Sequence, residues 1–102
     1  MHLVQLLLPV CGSDGRRMER SALDGVAQEL SERFGGVTLY ARSPAAGLWK
    51  ENSGETARDD IVVCEVMVET LDTDWWQHYR QHLEQAFAQR ELVIRAQEIQ
   101  RL

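Results

Sequence analysis

The chain has little cysteine, no excess of positive charge and no long apolar run, and each shortage removes a class of protein. Only two cysteines, Cys11 and Cys64, occur in 102 residues. They lie far apart in no metal-ligand spacing, so a disulfide framework and a CxxC site are both excluded, and a reducing cytoplasmic setting is expected. Eleven Lys and Arg against sixteen Asp and Glu leave a net charge of −5. A general nucleic-acid binder needs a cationic face to release counterions from phosphates, so no nucleic-acid partner is expected. No segment approaches the roughly 20 apolar residues of a membrane-spanning helix, and no membrane partner is expected. Internal repeats and low-complexity runs are absent as well.

The apolar start, HLVQLLLPVCG, has no cationic segment before it, and Gln5 interrupts it. LPVC resembles the lipid-attachment box of bacterial lipoproteins, but that box takes a small residue where Val10 stands. A first β-strand over Leu3–Val10 is the expected reading, with a signal segment as the lesser one.

What is present is ordinary for a globular domain: 44% hydrophobic and 26% charged residues. The length suits a single domain over 1–102 with a modest core, so a second large apolar surface would imply a partner. After the CGSDG turn, Ser13 or Asp14 can cap a helix over Arg17–Phe34. There Leu23, Val26, Ala27, Leu30 and Phe34 share one face, and Gly35-Gly36 ends the helix. A long hairpin follows, Val37–Lys50 against Glu55–Glu69, bulged near Ser43-Pro44. Its turn implies that Val37 faces Val68, Leu39 faces Val66 and Ala41 faces Cys64. On the other face it pairs Thr38 with Met67, Tyr40 with Glu65, and Arg42 with Val63. Asp72 or Thr73 then caps a helix running to Gln89, and ELVIRAQ forms the last strand. The order βαββαβ predicts an α+β, ferredoxin-like sandwich, with a four-stranded antiparallel sheet and both helices on one face.

The chemically densest stretch is DTDWWQHYRQHLEQAF, Asp72 to Phe87. At about 100° per residue, Trp76, Tyr79, Leu83, Ala86 and Phe87 share an arc, with Trp75 at its border, so the aromatics are core. Asp74, His78 and His82 form a stripe one turn apart beside that arc. Two histidines so spaced can chelate a divalent ion, yet there is no HExxH glutamate, and a straight helix does not wrap three ligands around one ion. Solvated histidines are the commoner outcome, and no native metal is expected.

The face of the sheet away from the helices should carry Leu3, Gln5, Leu7, Thr38, Tyr40, Arg42, Val63, Glu65, Met67, Val93, Arg95 and Gln97. So much apolar surface should not meet water, while Arg42, Glu65 and Arg95 are costly to bury unpaired. A homodimer that stacks two such faces meets both demands. Within it Tyr40, Arg42, Glu65 and Arg95 can contact a small polar or anionic molecule, without any cofactor. The competing reading keeps these charges as interfacial salt bridges of a non-catalytic assembly module.

Other features are weaker. Cys11 precedes a helix N-terminus but has no identifiable base. The GSDGRR loop, with Arg16 and Arg17, matches no phosphate-binding fingerprint. The asparagine-containing DG segment of the small acyl-phosphate hydrolases is missing, and the exposed aromatics of an RNA-recognition sheet reduce to one tyrosine.

The run GLWKENSG…RDDIVVCEVMVETLD…YRQHLEQAFAQRELVIRA resembles the second half of a group of small bacterial proteins of unknown function. The shared pattern falls on Gly47, Trp49, Gly54, Arg58, Tyr79, Phe87 and Gln89, over residues 47–96. Many of those proteins carry export signals. The layout is also similar to dimeric α/β-barrel proteins, which include cofactor-free monooxygenases and isomerases as well as domains without chemistry. The resemblance implies the fold and no particular activity.

Overall fold

The computed structural model describes residues 1–9, 20–50 and 56–102, with backbone alone for Arg20, 41–50 and 56–60. Cys11, the capping candidates Ser13 and Asp14, and Arg16 and Arg17 of the GSDGRR loop lie outside the described residues. The elements are β1 (His2–Pro9), α1 (Arg20–Phe34), β2 (Thr38–Lys50), β3 (Thr56–Val68), α2 (Thr73–Ala86) and β4 (Val93–Glu98). They form one four-stranded sheet in the order β2-β3-β1-β4, every neighbouring pair antiparallel. The expected α+β, ferredoxin-like sandwich is therefore the observed one.

Alternation along β1 and β3 decides which side the helices cover. Val4, Leu6 and Leu8 of β1, with Val62, Cys64, Val66 and Val68 of β3, are buried together. Leu23, Val26 and Leu30 of α1 close over them, as do Trp76, Tyr79 and Leu83 of α2, with Phe87 and Leu92 at one end. Each fully buried aliphatic or Phe side chain contributes about 1.5–3 kcal/mol of transfer free energy, an upper figure because the unfolded chain is already partly collapsed. Ala27 and Phe34 are half-buried rather than inside, and Ala86 is exposed, so the true core faces are narrower than the sequence implied.

The hairpin register differs from the sequence expectation. Thr38 pairs with Glu65, Leu39 with Cys64 and Tyr40 with Val63, each two residues away from the partner inferred from the turn. Beyond a register shift between Tyr40 and Ala45, the strands pair Ala45 with Ile61 through Lys50 with Thr56. The irregularity lies where Ser43-Pro44 predicted one. It puts three more residues on β2 than on β3, a slip that counting back from the turn cannot detect. At Thr38–Tyr40 the displacement is two residues, so these three side chains keep their faces, whereas from Ala45 to Lys50 the pairing lies one residue from the turn's expectation. The hairpin also extends past the end of β1, whose Pro9 pairs with Ile61.

Helix α2 starts where expected. Asp72 caps it, its side chain accepting from Trp75 N–H at 3.1 Å. It ends at Ala86, short of Gln89, because Ala88 takes a left-handed φ of 50°. Gln89 N–H then donates to Glu84 O at 2.8 Å and Ala88 N–H to Gln85 O at 3.3 Å, the paired bonds of a Schellman ending. Gly35, at φ 86°, does the same work after α1, with Gly35 N–H donating to Ser31 O at 2.8 Å.

Candidate functional site

Four strands present alternate residues on the face away from the helices, and their register sorts these into rows. One row reads Thr38, Glu65, Gln5, Arg95 from β2 to β4. Beside it runs Tyr40, Val63, Leu7, Val93, and on its other side Met67, Leu3, Gln97. A polar row thus lies between two largely apolar ones. Tyr40, Met67 and Val93 are 48%, 49% and 45% exposed, unusual for large apolar side chains clustered on one surface.

Three members of the polar row are bonded in sequence, from Arg95 through Gln5 to Glu65. Arg95 Nε donates to Gln5 Oε1 at 2.9 Å, and Gln5 Nε2 donates to Glu65 Oε2 at 2.9 Å. The Tyr40 hydroxyl lies near Glu65, and its interaction with that carboxylate raises the phenol above its ordinary value of 10.0.

Of the four candidates named from sequence, the structure joins Glu65 and Arg95 through Gln5 and sets Tyr40 beside Glu65. The fourth, Arg42, falls in the irregular part of β2, and its side chain lies outside the described ones. Gln5 completes the network and was placed on the face by alternation but in no site. Its linking role depends on β1 lying between β3 and β4, which alternation does not reveal.

The histidine stripe does not assemble. His78 Nδ1 faces the Asp74 backbone carbonyl at 2.8 Å, and the His82 ring stacks near Tyr79 with centroids 6.2 Å apart. Among the described residues no three His, Cys, Asp or Glu side chains group to hold an ion. The tryptophans belong to packing. Trp75 lies edge-on to Phe34 and Trp76 and stacks on Tyr79, with Arg33 4.2 Å over its ring centroid. Burial, helped by Glu29, drives the Tyr79 phenol far upward, so it stays neutral.

Two concavities lie elsewhere. One of about 170 Å³ sits between α2 and β4, beside Val4, Leu71, Trp76, Ile94 and Ala96. The other, about 430 Å³ and open, lies at the end of α2 beside Glu84, Ala88 and Arg90. Neither is lined by Tyr40, Gln5 or Glu65, but Arg95 borders the smaller one. Among the described residues no helix is long and apolar enough to cross a membrane.

No family model matches the chain. No curated protein matches it either. Among solved structures the chain is similar to a phage SAM lyase in complex with S-methyl-5′-thioadenosine, with a TM-score of 0.67 at 15% identity, over 95% of this chain and 80% of that one. It is also similar to a phage SAM lyase in the apo state, with a TM-score of 0.61 at 12% identity, over 94% and 78% of the two chains. At such identities the likeness is one of fold, and it places the chain with these structures as a ferredoxin-like α+β domain.

Proposed function

We propose that the protein is a homodimer that binds a small polar or anionic molecule between facing sheets, using Tyr40, Arg42, Glu65 and Arg95 and no cofactor. The observation that carries this reading is the bonded polar row set between apolar rows on an uncovered sheet face. The apolar rows favour removal from water, whereas the polar row must keep its hydrogen bonds when water leaves. A second subunit with a small polar molecule between satisfies both. The guanidinium of Arg95 offers terminal N–H donors beyond the one given to Gln5, and the Glu65 carboxylate can accept from an amine or hydroxyl. If the bound molecule is transformed, Glu65 is the group placed to take its proton. Further support for small-molecule binding on such a scaffold is the similar fold solved with S-methyl-5′-thioadenosine.

The test combines sedimentation with thermal unfolding across a metabolite panel that includes S-methyl-5′-thioadenosine. A ligand at 100 times its Kd should stabilise the dimer by about 2.7 kcal/mol. Glu65→Ala and Arg42→Ala should remove that shift. A dimer that is lost in these variants, with no response anywhere in the panel, makes the face an assembly surface only. A monomer with Tyr40 in solvent ends both readings.

A further inference from the structure

Within one chain Glu65 and Arg95 do not meet. They sit on β3 and β4 with β1 between them, about 10 Å apart at neighbouring-strand spacings of roughly 4.8 Å. Among the described residues they are joined through Gln5. A small group that engages Glu65 and Arg95 of the same chain must reach across that amide.

When two copies stack face to face, their two-fold axis lies in the plane between the sheets, and the charges select its direction. An axis across the strands at the polar row lays Arg95 on Arg95 of the partner subunit and Glu65 on the partner subunit's Glu65. An axis along β3 or along β4 repeats one of those like-charge contacts. An axis midway between β3 and β1 sets Arg95 over the partner's Thr38 and leaves it without a carboxylate. An axis along β1, above Gln5, exchanges β3 with β4. Arg95 then faces Glu65 of the partner subunit, twice by symmetry. The neighbouring rows match as well, with Leu7 over the partner's Leu7 and Val63 over the partner's Val93. Each charge lies one strand from this axis, where sheet twist displaces the facing pair least. Sheets about 10 Å apart leave a gap that the Arg and Glu side chains span.

Resting on the functional reading above, we infer that the subunits stack about an axis along β1 and that each binding site is composite. Tyr40 and Glu65 come from one subunit, and Arg95 comes from the other. In this arrangement β2 overhangs the partner's β4, so Tyr40 stands at an open rim beside the cross-subunit pair. A small molecule with an anionic end for the arginine and a donor for the glutamate enters there.

Two full-length variants, Arg95→Glu and Glu65→Arg, test this by sedimentation and native mass spectrometry, with circular dichroism checking the fold. Each alone places like charges across the axis, and its dimer should weaken by at least about a hundredfold. Mixed, they should form a 1:1 heterodimer within about tenfold of the wild-type affinity, because each cross-subunit pair is again opposite in sign. Should a reversal unfold the chain, Arg95→Gln mixed with Glu65→Gln replaces it, and the heterodimer should be the tightest of the three species. A wild-type dimer whose variants self-associate undiminished, or fail to pair when mixed, overturns the composite site alone. A monomeric wild type overturns the stacked-face reading with it.

Discussion

The Gln5 amide donates to the Glu65 carboxylate at 2.9 Å across 60 positions of sequence. That bond exists because β3 sits beside β1 in a register pairing the two residues directly. It fixes one carboxylate oxygen and keeps Glu65 beside the Tyr40 hydroxyl, so the titration of the tyrosine reports on the network.

The chain has two tyrosines, and burial drives Tyr79 far higher than Tyr40. The first phenol to ionise on raising pH should therefore be Tyr40, above its ordinary value. Glu65→Gln removes the negative charge and should bring that first transition down toward 10, read by ultraviolet absorbance of the phenolate. An unmoved transition in this variant would separate Tyr40 from Glu65.

Ala88 and Gly35, both left-handed, should respond in opposite directions. Ala88 carries a Cβ at φ 50°, so Ala88→Gly should stabilise by about 0.5–1 kcal/mol, strain relief exceeding the added freedom of the unfolded chain. Gly35 is at φ 86°, with nothing within 4 Å of an added Cβ. Gly35→Ala should therefore cost about 1 kcal/mol through backbone strain alone. Urea unfolding of both variants checks the pair.

Glu84 ties the end of α2 to the start of β4. Its carboxylate accepts from Arg80 at 3.0 Å and from Leu92 N–H at 2.9 Å. Glu84→Ala strands that N–H and should cost about 1–2 kcal/mol, while Glu84→Gln, which keeps an acceptor, should cost less. Equal losses for the two variants would show that the bond to Leu92 contributes nothing.

Cys64 is buried, and desolvation, aided by the Glu65 charge, pushes its thiol up to about 11 from 9.0. The folded state holds this proton more tightly than the unfolded one. The resulting stabilisation is complete below about pH 9 and is lost as pH rises toward 11. In a Cys11→Ser background the remaining thiol should resist a disulfide reagent at pH 8 until the domain unfolds. Rapid labelling of the folded protein would contradict its burial.

Much of the architecture was legible because it depends on periodicity. Alternation in HLVQLLLP and DIVVCEVMV assigned each residue to a face. That assignment survived the register difference because the shift at Thr38–Tyr40 was an even number of residues. The aromatic face of α2 was legible for the same kind of reason, at helical rather than strand period. The end of α2 was missed because Ala88 adopts a conformation for which glycine is the usual sequence signal.

The sequence by itself determined the sorting of side chains between a helix-covered face and an open one, since alternation and the 3.6-residue period are local properties of a polypeptide. Only the tertiary structure decided that β1 lies between β3 and β4. Strand neighbours are chosen by packing the whole core, and no local pattern encodes that Gln5 should sit between Glu65 and an arginine 90 residues away.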